Sequence, residues 1–203
     1  MVSRPARLTP PVECVRLYDA ASGLDGVIAI HSTALGPGAG GCRLWSYADM
    51  DAALADAFRL AEGMSYKNAL AGLPFGGAKA VLRRPEGDFD RAALFRAFGE
   101  AVERLGGLYV TAEDVGTSVG DMQEVARVSR HVAGLAAKDG QAGGDPSPWT
   151  ALGVFEAMKA AARLTFGSDL DTMRASWPLT RSPVPKPISS RPVHLEAPSI
   201  AIR

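Results

Sequence analysis

The chain has 203 residues, 47% hydrophobic and 22% charged, a balance typical of a globular protein that buries a core without disulfides. It carries 22 basic and 22 acidic residues, so its net charge gives no reason to expect nucleic acid or an anionic membrane as a partner. No apolar run approaches the roughly 20 residues of a membrane span, the N-terminus lacks an apolar signal segment, and two cysteines without metal-site spacing suit a reducing cytoplasm.

The first half of the chain alternates between strand and helix patterns. Residues 12–18 and 26–32 are rich in β-formers and flank a Ser-Gly-Leu-Asp-Gly turn, which predicts a hairpin. Residues 49–63 place apolar side chains at helical spacing, with Asp49, Asp51 and Asp56 predicted to point outward. A short strand is expected at 78–83.

The second half continues the alternation. Residues 90–105 form an amphipathic helix closed by two glycines, and 108–112 form a short strand. Ser118, with Asp121 three residues later, predicts a capping box that opens another helix. A last helix is expected at 149–165. The order of elements predicts an α/β domain whose mixed sheet is flanked by helices.

The last 33 residues differ in composition from the rest. Residues 171–203 contain none of the 22 glycines and six of the 14 prolines, and they lack apolar periodicity. Such a segment buries too little apolar surface to offset its chain entropy, so we expect it to be disordered. Two origins stay open: a natural flexible tail, or a reading-frame change near Leu170 in a GC-rich gene.

A glycine-rich segment, GPGAGG at 36–41, contains the GxGxxG spacing of a dinucleotide fingerprint. Such a fingerprint opens directly into a helix whose N-terminus holds the pyrophosphate. Here residues 42–47 intervene before the helical pattern begins near Asp49. The pattern therefore favours a loop that lets a small ligand approach backbone N–H groups, with a plain turn as the alternative.

Two lysines are candidates for binding or catalysis. Lys67 lies near a predicted helix C-terminus, where a lone lysine is usually solvated. Lys79 enters a strand from Gly76-Gly77 among apolar neighbours, which suits either a cleft or the surface. Two ammonium groups in one desolvated pocket would lower one pKa toward neutrality, because each disfavours the charge of the other. One lysine would then bind an anion and the other act as a general base.

Two further segments carry polar candidates. Glu113 and Asp114 follow a predicted strand, where α/β proteins commonly hold ligands, although a turn or N-cap role is the alternative. Ser147 and Thr150 precede the last helix and could cap it or donate to an anion there. The three histidines form no cluster with cysteine or acid, so we assign no metal site and no catalytic triad.

Four ordered stretches carry a family resemblance: LGPGAGGCRLW (35–45), RLAEGMSYKNALAGLPFGGAKAV (59–81), YVTAEDVGTSVGDM (109–122) and GGDPSPWTALGVFEAMKAAA (143–162). Together they resemble the Glu/Leu/Phe/Val dehydrogenase family, in particular its leucine, valine and phenylalanine dehydrogenase branch, over about residues 12–170. The resemblance implies a substrate and dimerisation domain at 12–148, a helix at 149–170 leading toward an NAD-binding Rossmann domain, and the tail at 171–203. No Rossmann fingerprint follows Gly167, so we expect that domain to be missing from this chain.

The resemblance also implies the reaction, a reversible oxidative deamination of a Leu-, Val- or Phe-type L-amino acid to a 2-oxo acid and ammonia, with NAD as hydride acceptor. Lys67 matches the lysine that binds the substrate carboxylate. Lys79 matches the catalytic lysine that activates water as a general base. Asp114 matches the aspartate that interacts with the substrate amine and shuttles protons.

Other positions match the pocket walls of the family. Gly40 and Gly41 match the loop whose backbone contacts the amino-acid substrate, and Met64 matches a substrate-pocket residue. Ser147 and Thr150 match the loop and helix start that reach the cofactor side of the cleft.

Two residues depart from the family pattern. Asp145 stands where the family usually has Asn, which places a negative charge near the expected cofactor cleft, and Ala39 is smaller than its usual counterpart. The resemblance implies the N-terminal part of a cytoplasmic, homo-oligomeric, NAD-dependent dehydrogenase that is inactive alone. The alternative is a non-catalytic amino-acid-binding or oligomerisation module.

Overall fold

The computed structural model describes residues 10–136 and 143–167. They belong to two compact units, which meet in the chain between Asp145 and Pro146. No helix in these two ranges is both long and apolar enough to cross a lipid bilayer. Residues 171–203, for which we expect disorder, lie outside the described residues.

The first unit contains, in chain order, β1 (Glu13–Asp19), β2 (Leu24–Ser32), β3 (Gly38–Ala39), β4 (Cys42–Trp45), α1 (Met50–Leu70), β5 (Gly76–Arg83), α2 (Arg91–Arg104), β6 (Tyr109–Val110) and α3 (Val119–Ala126). The second unit contains α4 (Ser147–Phe166). The α/β class and the mixed sheet are as predicted.

The strands form one mixed sheet in the order β1-β2-β5-β3-β6, and β4 also pairs with β5. β1 and β2 are the predicted antiparallel hairpin, with Glu13 opposite Ile30 and Asp19 opposite Leu24. β5 pairs antiparallel with β2 and parallel with β3 and β4, and β6 runs parallel to β3. β5 is therefore the central strand to which the other parts of the sheet attach.

The glycine-rich segment is part of this sheet, which the sequence did not predict. Gly38 lies opposite Gly76, and Cys42 lies opposite Ala80 with the same register offset. β3 and β4 are thus one strand path along β5, interrupted at Gly40-Gly41. Glycine is depleted in strands, so four glycines in six residues favoured a loop.

Helices cover both faces of the sheet. α2 and α3 pack large apolar side chains against one face, including Phe95, Phe98 and Met122. α1 covers the other face through three alanines, Ala53, Ala57 and Ala61, which contact Val27, Ala29 and Val81. Because side chains alternate along a strand, Lys79 points to the same face as Val81, toward α1.

The helix ends agree with the predictions in part. The capping box of Ser118 and Asp121 is present at α3. α1 is longer than predicted, because it continues through Gly63 to Leu70. The capping alternative for Ser147 and Thr150 was wrong, because the N-cap residue of α4 is Pro146 and the helix already begins at Ser147.

Candidate active site

Lys79 is a buried cation at the middle of β5, with 4% of its surface exposed. Its Nζ lies 2.9 Å from Oδ1 of Asp114. Burial lowers the pKa of Lys79, the Asp114 carboxylate acts in the opposite direction, and Arg43 lowers it further. The cation that acts on Lys79 is therefore Arg43, where the sequence pointed to Lys67.

Asp114 forms ion pairs with two cations, one at each carboxylate oxygen. Oδ1 faces Lys79, and Oδ2 accepts a 2.9 Å hydrogen bond from Nε of Arg43. Burial acts to raise the pKa of Asp114, but the two cations outweigh it and the pKa is lowered. The backbone N–H of Asp114 donates to the Thr117 hydroxyl, which in turn donates to the Cys42 carbonyl, so the backbone of Asp114 is tied to β4.

Arg43 and its partner Asp56 are functional candidates that the sequence did not reveal. Asp56 was predicted to point outward from α1, yet its side chain is only 16% exposed. Its Oδ2 accepts hydrogen bonds from Nη1 of Arg43 at 2.8 Å and from the Tyr47 hydroxyl at 2.6 Å, and Oδ1 accepts from Arg59. Helical spacing could not reveal this, because the contact depends on β4 lying beside α1.

The C-terminal end of α1 brings Met64 and Lys67 to the sheet. Lys67 is exposed in the last turn of α1, and Met64 lies one turn before it. The next residue, Asn68, is buried, and its Nδ2 donates to the carbonyls of Gly76 at 2.6 Å and Ala39 at 3.2 Å. These bonds fix the end of α1, and hence the backbone of Lys67, over β3 and β5. Asn68 was not predicted from the sequence, where its signal is a polar side chain beside Lys67.

Gly40 and Gly41 sit where the sheet leaves no room for a side chain. A Cβ on Gly40 would lie 1.8 Å from the Ala78 carbonyl oxygen and 3.1 Å from Cγ of Met64. A Cβ on Gly41 would lie 2.9 Å from Cβ of Asp114. These glycines therefore have a packing role. The N–H of Gly40 donates to the Val110 carbonyl, so this N–H is paired within the sheet, and the substrate contact of the glycine backbone stays a prediction.

The structure brings most of the predicted substrate and catalytic residues together. Contacts or close approaches join Gly40, Gly41, Met64, Lys79 and Asp114 on the α1 face of the sheet. Lys67 lies on the same helix end as Met64. Ser147 and Thr150 are exposed at the start of α4, in the second unit.

The glycine-rich segment does not fit the fingerprint of a dinucleotide site. The GxGxxG spacing at 36–41 continues into β4 and not into a helix. A Cβ on Gly38 would lie 2.8 Å from Cβ of Ala78, so this glycine serves strand packing. The rejection of the fingerprint from sequence is confirmed.

Glu113, the residue before Asp114, carries a second carboxylate whose charged neighbours are Asp145 and Asp121. Among the described residues its buried Oε1 has no hydrogen-bond partner. Burial raises the pKa of Glu113, and the nearby charge of Asp145 raises it further. The departure at Asp145 therefore makes its neighbourhood more acidic than a neutral amide would.

The fold is thus an α/β domain whose mixed sheet holds the ion pair of buried Lys79 and half-buried Asp114 beside a glycine-interrupted strand. Residues 12–131 match the family model described as the Glu/Leu/Phe/Val dehydrogenase, dimerisation domain. The chain belongs to the Glu/Leu/Phe/Val dehydrogenase family.

Individual relatives agree with this assignment. The leucine dehydrogenase of Geobacillus stearothermophilus is 50% identical over 151 residues, which cover 74% of this chain and 41% of the relative. The valine dehydrogenase of Streptomyces virginiae is 51% identical over 155 residues, covering 76% and 43%. The chain thus spans less than half the length of these relatives.

Solved structures show the same fold. The L-tryptophan dehydrogenase from Nostoc punctiforme superposes with a TM-score of 0.60 at 34% identity, covering 78% of this chain and 44% of that one. The hetero-hexameric glutamate dehydrogenase from Thermus thermophilus gives a TM-score of 0.60 at 21% identity, covering 77% and 41%. At that identity the second likeness concerns the fold alone.

Proposed function

We propose that this chain is the amino-acid-binding part of an NAD-dependent L-amino-acid dehydrogenase for Leu-, Val- or Phe-type substrates. The whole protein would convert the amino acid and water to a 2-oxo acid and ammonia, passing the α-hydride to NAD. The observation that carries the proposal is the ion pair of buried Lys79 and half-buried Asp114, 2.9 Å apart, beside Gly40 and Gly41. A buried lysine is costly to keep for stability alone, which supports a functional role.

Lys67 would bind the substrate carboxylate. It is exposed at the end of α1, where its ammonium group can reach an anionic ligand, and Asn68 fixes the backbone on which it stands. A charge-assisted hydrogen bond of this kind contributes about 1.5–3 kcal/mol. Met64 and the backbone of Gly40 and Gly41 would line the rest of the substrate pocket.

Lys79 would act as the general base. Burial lowers its pKa, so a larger share of its side chain is neutral amine near neutral pH than in an exposed lysine. The neutral amine would take a proton from water as the water oxygen attacks the imine carbon of the oxidised substrate. Addition of water across the C=N bond would convert the imine to a carbinolamine. Cleavage of its C–N bond would then release ammonia and leave the 2-oxo acid.

Asp114 would hold the substrate amine and carry its protons. Its lowered pKa keeps the carboxylate ionised near neutral pH, which suits a contact with a substrate ammonium group. Because Oδ1 already lies against Lys79, a proton can pass between the two residues without a large movement. Ser147 and Thr150 would serve the cofactor side in the whole protein.

We expect this 203-residue chain not to reduce NAD alone, because its GxGxxG segment at 36–41 continues into a strand and not into the helix that a dinucleotide fingerprint requires. The family model that it matches is a dimerisation domain, so we also expect a homo-oligomer. Inactivity toward NAD and self-association would both be typical of one domain of a larger assembly.

Calorimetric titration of the purified chain with L-leucine tests the proposal. We expect millimolar binding that Lys67→Gln weakens about tenfold, the equivalent of about 1.4 kcal/mol. Arg59→Gln is the matched control, since it also removes one exposed cation from α1 and should bind leucine normally. L-leucinamide, which lacks the carboxylate, should bind as poorly to the wild type as leucine does to Lys67→Gln. Absence of leucine binding, or equal binding of leucinamide, would refute the proposal.

A further inference from the structure

We infer that Arg43 is a positioning residue that divides the Asp114 carboxylate between two cations, and that Asp56 holds Arg43 in place. The inference concerns how Lys79 is tuned. It deepens the proposed function, on which it rests only for the reaction that Lys79 and Asp114 would perform.

The geometry at Asp114 shows the division directly. Nζ of Lys79 and Nε of Arg43 both lie 2.9 Å from this carboxylate, each on its own oxygen. A carboxylate shared equally between two cations cannot turn toward one of them without losing the other. Arg43 therefore limits how strongly Asp114 stabilises the charged form of Lys79.

The guanidinium of Arg43 suits this position better than an ammonium would. Its Nε donates to Asp114 while its Nη1 donates to Asp56, 2.8 Å away, so one planar group joins the segment after β6 to α1. The side chain is 20% exposed. A guanidinium has five donors in a fixed fork, whereas a lysine has one flexible nitrogen and would not hold both carboxylates in this geometry.

Asp56 is itself held by three donors. Besides Arg43, it accepts from the Tyr47 hydroxyl and from Arg59, whose side chain is 61% exposed. Arg59 touches only the far oxygen of Asp56. Two arginines therefore donate to the Asp56 carboxylate. Arg43 also contacts Asp114, whereas Arg59 does not.

Three groups act electrostatically on Lys79: Asp114 from the segment after β6, and Arg43 and Cys42 from β4. Burial raises the pKa of the Cys42 thiol, so it stays neutral across the working range. From α1, Asp56 reaches Lys79 through Arg43. Loss of Arg43 removes a nearby positive charge and leaves Asp114 to Lys79 alone, so both changes favour the protonated form of Lys79.

The experiment follows the titration of the side-chain ¹⁵N signals of lysine by NMR in the 203-residue chain, which has five lysines. In Arg43→Gln, we expect the titration of Lys79 to move to higher pH, so that its neutral fraction at pH 8 falls about threefold. In the control Arg127→Gln, which removes an arginine that is 66% exposed and pairs with Glu124 on α3, the titration of Lys79 should stay at the wild-type position. No change in Arg43→Gln, a change to lower pH, or an equal change in both variants would overturn the inference.

Arg43→Lys is a second test, which can be used if the Arg43→Gln variant does not fold. It keeps the positive charge but breaks the bridge between Asp56 and Asp114. Lys79 should then move in the same direction as in Arg43→Gln, by a smaller amount. If Arg43→Lys titrates like the wild type, charge alone matters and the positioning role is wrong.

Leucine titration of the same proteins separates the two proposals. If wild type does not bind leucine but Lys79 moves in Arg43→Gln, the proposed function fails and the role of Arg43 stands. If leucine binds and Lys79 does not move, only the role of Arg43 fails.

Discussion

The two faces of the sheet are packed in different ways. On the α2 face, large side chains such as Phe95 and Phe98 are fully buried. On the α1 face, the contact is made by alanines, and α1 lies so close to β5 that a Cβ on Gly77 would lie 2.2 Å from the backbone nitrogen of Ser65. The charged network of Lys79, Asp114, Arg43 and Asp56 lies on or beside this second face.

The difference in packing indicates that the α2 face mainly stabilises the fold and the α1 face mainly positions polar groups. Burial of large apolar side chains is the main source of folding free energy, and it is concentrated on the α2 face. The α1 face gives up part of that burial, and its close backbone contacts hold polar groups in fixed positions. We therefore expect changes on the α2 face to reduce stability while leaving the site intact, and changes on the α1 face to disturb both.

The largest effect should come from Phe98→Ala on the α2 face. It removes a fully buried ring, so the free energy of unfolding should fall by about 3–5 kcal/mol in urea denaturation. Phe166→Ala on α4 is the control, since that ring is 63% exposed and its loss should change stability by less than about 0.5 kcal/mol. Equal losses in the two variants would contradict the assignment of the core.

A smaller loss should follow Ala57→Leu on the α1 face. Three extra carbons between α1 and the sheet should cost about 1–3 kcal/mol and also move the NMR signal of Lys79. Ala55→Leu, at an exposed position on the same helix, should be close to neutral and leave Lys79 unchanged. If Ala57→Leu is tolerated as well as Ala55→Leu, the α1 face is not closely packed.

Acid should weaken the α1 face in particular. The pKa values of Asp56 and Asp114 are lowered, because hydrogen bonds and cations outweigh burial. Below the ordinary carboxyl pKa of about 3.9, the unfolded chain therefore binds more protons than the folded chain.

The stability that these two carboxylates confer is complete above the ordinary carboxyl pKa of about 3.9. It is lost as the pH falls from there through their lowered pKa values in the folded chain. We expect a loss on the order of 1 kcal/mol between pH 6 and pH 3, measured by urea denaturation. The Asp56→Asn variant should have a lower free energy of unfolding at pH 6 and should lose less of it between pH 6 and pH 3. An identical pH dependence in the variant would show that Asp56 is not one of the groups responsible.

The smallest effect should be a gain. Gly63 lies inside α1 with nothing within 4 Å of an added Cβ, so Gly63→Ala should stabilise the chain by about 0.5–1 kcal/mol. Gly72, just past the end of the helix, is also open but has φ +66°, where a side chain is strained, so Gly72→Ala should destabilise. A gain in melting temperature for both variants would contradict this account of the helix end.

The sequence predicted those parts of the fold that depend on local pattern. The hairpin, the helix α2 and the capping box at Ser118 follow from alternation, helical spacing and local hydrogen bonding, and all three are present. β3 and β4 could not be predicted in this way, because their pairing with β5 requires glycines at positions where strand propensity is low.

The site was predictable only in part for a similar reason. Lys79 and Asp114 were found from their position at a strand and from the family resemblance. Arg43 lies 71 residues before Asp114 in the chain and contacts it only because β4 lies beside the segment after β6. The helical pattern predicted that Asp56 points outward, because its partner Arg43 lies on another element and leaves no signal in the local spacing.

If Lys67 and Lys79 serve one amino-acid site, both side-chain ¹⁵N signals should respond to a leucine titration. We expect both signals to shift, saturate together and give one dissociation constant, while the signal of Lys159 on α4 stays still. A response of Lys67 without Lys79, or different dissociation constants for the two, would contradict a shared site.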